Sequence, residues 1–148
     1  MPALLLAAAL AVGASAQAPP DSARPAGSDA RVECSREADT GAGVCRSDVA
    51  TYVGWRVYLE HCAACHAEDA EGSDFAPSLL HRLGRFDRRA FYAALDGGYV
   101  GDNADLGPWG EVPEVARYYD ELWTYLSGRA AGTVPPAALE PVRENRSP

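Results

Sequence analysis

The residues with the most distinctive chemistry in this chain lie at positions 62–66, where Cys62, Cys65 and His66 follow a C-x-x-C-H pattern. In this pattern two thiols form thioether bonds to a haem, and the next imidazole binds its iron. Residues three apart lie on one helical turn, so both thiols can reach one flat macrocycle while the histidine points at the metal. The spacing predicts one covalent haem c, attached through Cys62 and Cys65, with His66 as the proximal iron ligand.

Two other uses of a C-x-x-C pair remain open at this stage. A thioredoxin-like redox pair requires a βαβ pattern around the motif, and none is apparent. A zinc site requires two further ligands at finger-like spacing. Cys34 and Cys45 are available, but they lie far upstream and their spacing fits no finger.

The first residues predict export from the cytoplasm. Residues 3–12 are a nearly continuous apolar run, too short to span a bilayer, and residues 14–16 form a small-x-small cleavage site. We expect a periplasmic protein with no integral membrane segment after signal cleavage. About 130 residues then remain, enough for one domain.

In an exported protein, Cys34 and Cys45 are most simply a disulfide that closes the Gly-containing stretch between them. The stretch before them is rich in Pro, Ala, Ser and Asp and lacks periodicity, which favours disorder. The expected segments are a signal peptide at 1–16, a disordered leader at 17–33, a disulfide loop at 34–47, a haem-carrying domain at 48–128 and a mobile tail at 129–148.

The net charge of the chain limits the kinds of molecule that it can bind. The chain has 13 basic residues, all of them arginine, against 21 acidic residues, for a net charge of −8. Nucleic acid is excluded as a partner, because an excess of positive charge is needed to neutralise its phosphates. An acidic surface suits a soluble carrier that is steered toward a basic docking patch, although it also serves simple solubility.

Three helices are predicted, and no strand pattern is convincing. Ser47 or Asp48 caps a helix that begins at Val49 and runs to about residue 65. A short helix follows over residues 88–95, and apolar residues spaced three and four apart predict a last helix over 113–128. The fold class is therefore all-α, with three main helices and loops around one haem.

This arrangement resembles a class I cytochrome c. In that family the first helix carries a glycine and an aromatic residue eight and four residues before the first cysteine, as Gly54 and Tyr58 do here. The family's last helix crosses at this glycine with an aliphatic and an aromatic residue, which Leu122 and Tyr125 resemble. The resemblance therefore implies that the first and last helices pack together at Gly54.

The same resemblance implies two residues of the haem pocket. A proline about ten residues after the haem histidine offers its carbonyl to the second ring nitrogen in this family, and Pro77 fits that position. Leu79 would then pack on the haem.

A narrower resemblance covers roughly residues 48–140. The stretches TYVGWRVYLEHCAACH, FAPSLL and PWGEVPEVARYYDELWTYL are similar to periplasmic cytochromes c associated with pyrroloquinoline-quinone (PQQ) alcohol dehydrogenases, including a methanol-metabolism-related branch. The resemblance implies an electron carrier rather than an enzyme. It would accept electrons from such a dehydrogenase and pass them to a downstream cytochrome or oxidase of the respiratory chain.

One position departs from the family's pattern. Class I cytochromes complete the iron with a methionine on the loop before the last helix, but the only methionine here is Met1. When the chain is aligned with the branch on Trp109 and Gly110, the methionine position holds Leu106, which cannot bind iron. Leu106 and Trp109 are accordingly expected in the haem pocket.

Several groups could replace the methionine. His61 precedes Cys62 on the helix and is tied to the proximal side. His81 follows Pro77 closely, on a segment expected at the proximal face, and Tyr99, Asn103 and Asp105 would be unusual oxygen ligands. We favour an open or water-filled sixth position, which would allow carbon monoxide, nitric oxide or peroxide to bind. The alternative function is then a small-ligand sensor with weak peroxidase-like activity, or a module whose sixth ligand comes from a partner.

Overall fold

The computed structural model describes residues 29–34, 43–101, 104–106 and 108–142, with only the backbone at 99–101 and 104–106. The predicted signal peptide and residues 17–28 of the predicted leader lie outside this part of the chain. The helices are α1 (Val49–His61), α2 (Ala63–His66), α3 (Leu79–Leu83), α4 (Arg88–Gly97), α5 (Pro113–Ala116) and α6 (Tyr119–Ala130), with a 3-10 turn at Trp109–Glu111. The strands are β1 (Val32–Cys34), β2 (Val44–Ser47), β3 (Tyr99–Gly101), β4 (Ala104–Leu106) and β5 (Ala138–Pro141).

The helix that leads into the C-x-x-C-H motif begins where the sequence predicts. Asp48 caps α1, because its carboxylate accepts a hydrogen bond from the backbone N–H of Thr51 at 2.9 Å. The predicted single helix to residue 65 is instead two helices, since the backbone at Cys62 (φ −122°) leaves helical geometry. α2 therefore presents Cys65 and His66 on a turn of its own.

The packing of α1 against α6 depends on Gly54. A Cβ atom at this position would lie 2.0 Å from the carbonyl oxygen of Glu121 and 2.9 Å from the Cβ of Tyr125, so only glycine permits this approach. One turn further along α1, the rings of Tyr58 and Tyr125 pack with centroids 5.6 Å apart. The predicted crossing of the first and last helices is confirmed.

The apolar core lies between α1, α4 and α6. Leu122 is 1% exposed, and Phe91 of α4 packs on Trp123 of α6 with ring centroids 5.4 Å apart. Asp87 caps α4, because its carboxylate accepts a hydrogen bond from the backbone N–H of Ala90 at 2.7 Å. The sequence predicted that this helix ends at residue 95, but α4 continues to Gly97.

The last predicted helix is divided, and its end is misplaced. Residues 113–116 form α5, and α6 begins only at Tyr119. Gly128 lies inside α6 rather than at its end. A Cβ atom there would come within 2.6 Å of a methyl group of Val134, so this glycine makes room for the chain that follows the helix.

The fold is mostly helical, as predicted, but the expectation that it has no strands is wrong. One sheet has the order β1-β2-β5, with β1 antiparallel and β5 parallel to β2, and β3 pairs with β4. These strands have three or four residues each, too few to show the alternating pattern that identifies a strand in a sequence. Cys34 pairs with Cys45 across β1 and β2, and the predicted disulfide between them is confirmed.

The expected mobile tail at 129–148 is wrong for its described residues. Val134 is fully buried and Leu139, in β5, is 3% exposed, so this segment folds back onto the domain. The leader boundary at residue 33 is also wrong, because Val32 and Glu33 belong to β1 and the backbone N–H of Arg31 donates to Asp48 at 2.7 Å. The segments before and after the domain are both held by strand pairing with β2, through β1 and β5. The pairing of β5 joins residues far apart in the chain, so local composition does not reveal it.

Candidate haem site

Cys62 and Cys65 lie at the junction of α1 and α2. The carbonyl of Cys62 accepts hydrogen bonds from the N–H groups of Cys65 at 3.2 Å and His66 at 3.0 Å, which places all three residues on one turn. Cys62 is half-buried and Cys65 is exposed, and neither forms a disulfide. Burial, together with the nearby Cys65, raises the pKa of the Cys62 thiol to about 12. In the described chain the motif lies between helices α1 and α3 and not in a βαβ unit, which disfavours the thioredoxin-like alternative.

The imidazole of His66 is fixed by one hydrogen bond. Its Nδ1–H donates to the carbonyl oxygen of Pro77 at 2.8 Å, the contact that the family resemblance implied. Because a carbonyl only accepts, Nδ1 carries the proton, and Nε2 is left as the nitrogen that can bind a metal. The loop between the two residues is tied to them, since Gly72 N–H donates to the carbonyl of His66 at 3.0 Å and Leu79 N–H to that of Ala70 at 3.1 Å.

His66 lines an apolar cavity of about 200 Å³. Pro77 and Leu79 lie beside it, α4 contributes Phe91 and Leu95, and Trp109 closes another part. The remaining lining residues described are Phe75, Ala76, Arg82, Leu83, Phe86, Ala94 and Gly98. Apolar walls, a single ring nitrogen and two cysteines on the adjoining turn fit a flat, covalently held iron macrocycle.

The other candidate ligands do not meet at this cavity in the described part of the chain. His81 is exposed on α3 and does not line the cavity. His61 lies edge-on to Trp109, with ring centroids 6.3 Å apart, and does not line it either. Asn103 lies outside the described residues, as do the side chains of Tyr99, Asp105 and Leu106, although Leu106 pairs with Tyr99 between β4 and β3.

The zinc alternative lacks its ligands. Cys34 and Cys45 are joined in a disulfide, so they cannot act as thiolates. Among the described residues no group of three or more His, Cys, Asp or Glu side chains could hold a metal ion.

Two contacts that support the site were missed by the sequence analysis. Arg129 of α6 is 7% exposed, and its guanidinium donates to the carbonyls of Val134 at 2.9 Å and Asp69 at 2.7 Å. The hydroxyl of Tyr58 donates to the carbonyl of Ala67, directly after His66. Arg129 stands at the end of a helix, where an arginine ordinarily faces solvent, so only its apolar neighbours in the sequence hinted at burial.

Comparison with known proteins identifies the family. The chain is 37% identical over 94 residues to cytochrome c-555 of Methylococcus capsulatus, a match that covers 63% of this chain and 73% of that protein. The chain belongs to the class I c-type cytochromes. No protein-family model matches it.

Two further relatives agree with this assignment. The cytochrome is 34% identical over 93 residues to cytochrome c-553I of Paracoccus denitrificans, covering 60% of this chain and 41% of that protein. The crystal structure of the c-type cytochrome XoxG from Methylobacterium extorquens AM1 superimposes with a TM-score of 0.60 at 35% identity, covering 67% of this chain and 64% of XoxG. The cytochrome thus spans less than two thirds of each of these two relatives.

Family membership implies a covalent haem c, and c-type cytochromes typically carry electrons rather than catalyse reactions. The C-x-x-C-H turn and the cavity beside His66 fit that cofactor. None of the helices in the described part of the cytochrome is long and apolar enough to cross a bilayer.

Proposed function

We propose that this cytochrome is a periplasmic monohaem electron carrier, exported by a signal peptide at residues 1–16. Cys62 and Cys65 form the two thioether bonds, and His66 is the proximal iron ligand. The observation that carries the proposal is the 2.8 Å hydrogen bond from His66 Nδ1 to Pro77 beside an apolar cavity, which leaves Nε2 available to iron.

Haem c, when bound, supplies a one-electron iron couple. The protein contributes orientation and environment. The carbonyl of Pro77 fixes the tautomer of His66 and increases the basicity of its Nε2. Leu79, Phe91 and Trp109 exclude water from the cavity, which favours the less charged, reduced state of the site.

A spectrum tests the attachment. The purified protein, produced together with a haem-attachment system, should contain one haem per chain that remains bound after denaturation. The reduced pyridine complex should show the absorption of a haem with two thioether bonds. A haem released by denaturation, or none, would contradict the proposal.

For the electron donor we propose a PQQ-dependent alcohol dehydrogenase, with a downstream cytochrome or oxidase as acceptor. The resemblance over residues 48–140 and the net charge of −8 support this choice. Reduction by such a dehydrogenase should slow as salt is added, because screening weakens steering between an acidic carrier and a basic patch. Reduction that is absent, or independent of salt, would count against this donor.

A second candidate function is small-ligand binding at an open sixth position, possible together with electron transfer. The described residues that line the cavity include no methionine, lysine or second histidine, and the only methionine is Met1. Loss of a thioether ligand also lowers the reduction potential relative to a Met/His cytochrome.

Carbon monoxide tests this second function. The ferrous spectrum should change on addition of the gas, and His81→Ala should respond in the same way, because His81 is exposed and does not line the cavity. A low-spin ferrous spectrum that carbon monoxide leaves unaltered would rule out the open position. If His81→Ala alone became responsive, His81 would be the sixth ligand.

A further inference from the structure

A second cavity, of about 470 Å³, lies between α1, the loop after α2, the middle of α6 and the segment before β5. It shares no lining residue with the cavity beside His66. We call it the acidic cleft, because Glu68 and Asp69 line it together with an apolar wall of Trp55, Leu59 and residues 136–138. None of the residues assigned to the haem takes part in it.

Carboxylates are the charged groups that line the cleft. Glu68 and Asp69 are both exposed, and one oxygen of Asp69 accepts from the backbone N–H of Glu71 at 3.0 Å, which holds that side chain in a turn. The buried Arg129 donates to the backbone carbonyl of Asp69 and is not a lining residue. The cleft therefore presents negative charge, as does the protein as a whole, with a net charge of −8.

Tyr125 supplies an independent indication of a ligand. It lines the cleft, only 3% of the residue is exposed, and no described residue forms a hydrogen bond with its hydroxyl. The ring itself is held against Tyr58. The hydroxyl oxygen is not among the buried unpaired atoms of the described residues, so it is open to the cleft, and an N–H donor inside the cleft would pair with it.

We propose that the acidic cleft binds an organic cation, an ammonium or guanidinium group on a short apolar stem. The charged nitrogen donates to Glu68, Asp69 and the Tyr125 hydroxyl, because charge-assisted hydrogen bonds to carboxylates are the strong ones. The stem lies on Trp55 and Leu59, where the indole face adds a cation–π attraction. A neutral molecule of the same shape gains only the apolar contact.

The proposal is tested by fluorine NMR on the haem-loaded protein labelled with 5-fluorotryptophan, with the Trp55 signal assigned from Trp55→Phe. Titration with n-butylammonium chloride should shift this signal saturably, and 1-butanol, its neutral analogue, should bind at least about tenfold more weakly. The combined change Glu68→Gln and Asp69→Asn should weaken amine binding about tenfold. Tyr125→Phe should weaken it about threefold.

A matched variant separates this cleft from the general acidity of the surface. Glu60→Gln with Glu114→Gln removes the same charge from exposed residues that do not line the cleft, and should leave the affinity within about twofold. The absence of a saturable shift, equal binding of 1-butanol, or equal weakening by this control would overturn the proposal.

The source of the cation is distinguished with a lysine peptide blocked at both ends. Binding of acetyl-Ala-Lys-Ala-amide as strongly as n-butylammonium supports the side chain of a docking protein as the natural ligand. Binding of the free amine alone supports a small metabolite amine. Both outcomes depend on the acidic cleft and neither depends on the haem assignment.

Discussion

The two walls of the cavity beside His66 are built differently. On one side, which we call the hydrogen-bonded wall, Pro77 accepts from His66 at 2.8 Å and Leu79 is tied by its N–H to the carbonyl of Ala70 at 3.1 Å. On the other side, the apolar wall, Phe91, Leu95 and Trp109 contribute carbon surface. Phe91 is held by packing against Trp123, with ring centroids 5.4 Å apart.

The difference indicates which wall can hold an iron ligand and which can only enclose the haem. Hydrogen bonds are directional and fix the orientation of a ligating imidazole, as a proximal ligand requires. Apolar packing shapes a space without supplying an atom that can bind iron. This arrangement is consistent with the proximal role proposed for His66, and among the described residues of the apolar wall no side chain offers an atom that binds iron.

Removing the attachment residues should have the largest effect. Cys62→Ala combined with Cys65→Ala should abolish covalent haem entirely, because no thioether can form. Haem staining after denaturing electrophoresis measures the result. Cys34→Ala combined with Cys45→Ala is the matched control, which should keep its haem while the free energy of unfolding falls by about 3 kcal/mol. Covalent haem in the first variant would contradict attachment through Cys62 and Cys65.

Next in size is Gly54→Ala, which tests how strongly the fold depends on the crossing of α1 and α6. The added Cβ would lie 2.0 Å from the carbonyl oxygen of Glu121, so the helices must separate. We expect the free energy of unfolding, measured with urea, to fall by about 3 kcal/mol. Gly97→Ala, also in a helix but with no atom within 4 Å of the new Cβ, should change it by no more than about 0.5 kcal/mol.

Asp48→Ala tests the start of the helix that carries the motif. Burial raises the pKa of Asp48, but hydrogen bonds from Arg31 and Thr51 outweigh it, and the net pKa lies below the ordinary 3.8. The folded-state pKa is thus depressed, so the charged group stabilises the fold above about pH 4 and this contribution is lost as pH falls through the folded pKa.

The variant should therefore lose about 1 kcal/mol near neutral pH, by urea unfolding, and clearly less at about pH 3. Its ferrous spectrum should match that of the wild type, because Asp48 lies at the far end of α1 from the haem motif. A loss that is equal at both pH values would show that the carboxylate charge is not responsible.

The smallest effect concerns backbone strain in the loop that follows His66. Ala67, directly after His66, has φ 63° and ψ 161°, a region that is essentially restricted to glycine. Ala67→Gly should raise the free energy of unfolding by about 1 kcal/mol. Ala64→Gly, in the helical turn of α2, should instead lower it by about 0.5–1 kcal/mol. A destabilised Ala67→Gly would show that this backbone conformation costs the fold nothing.

Short-range features of the fold were predictable because their causes are local. The caps of α1 and α4 follow from one aspartate each, at Asp48 and Asp87. Gly54 was recognised through a family pattern, and the structure gives the reason, since any Cβ there would collide with α6. The division of the last helix at Arg117 and Tyr118 was not predictable, because the apolar spacing continues across the break.

The sequence by itself predicted the haem chemistry that we propose for this protein, because two thiols and an imidazole act through their spacing on one turn. It also determined the disulfide, since these were the two cysteines left over in a chain predicted to be exported. Only the tertiary structure decided that the chain after α6 returns to pair with β2, that Arg129 is buried, and that Tyr125 meets Glu68 and Asp69 in a cleft. Each of these depends on residues far apart in the chain, whose contacts arise from packing and leave no periodic pattern in the sequence.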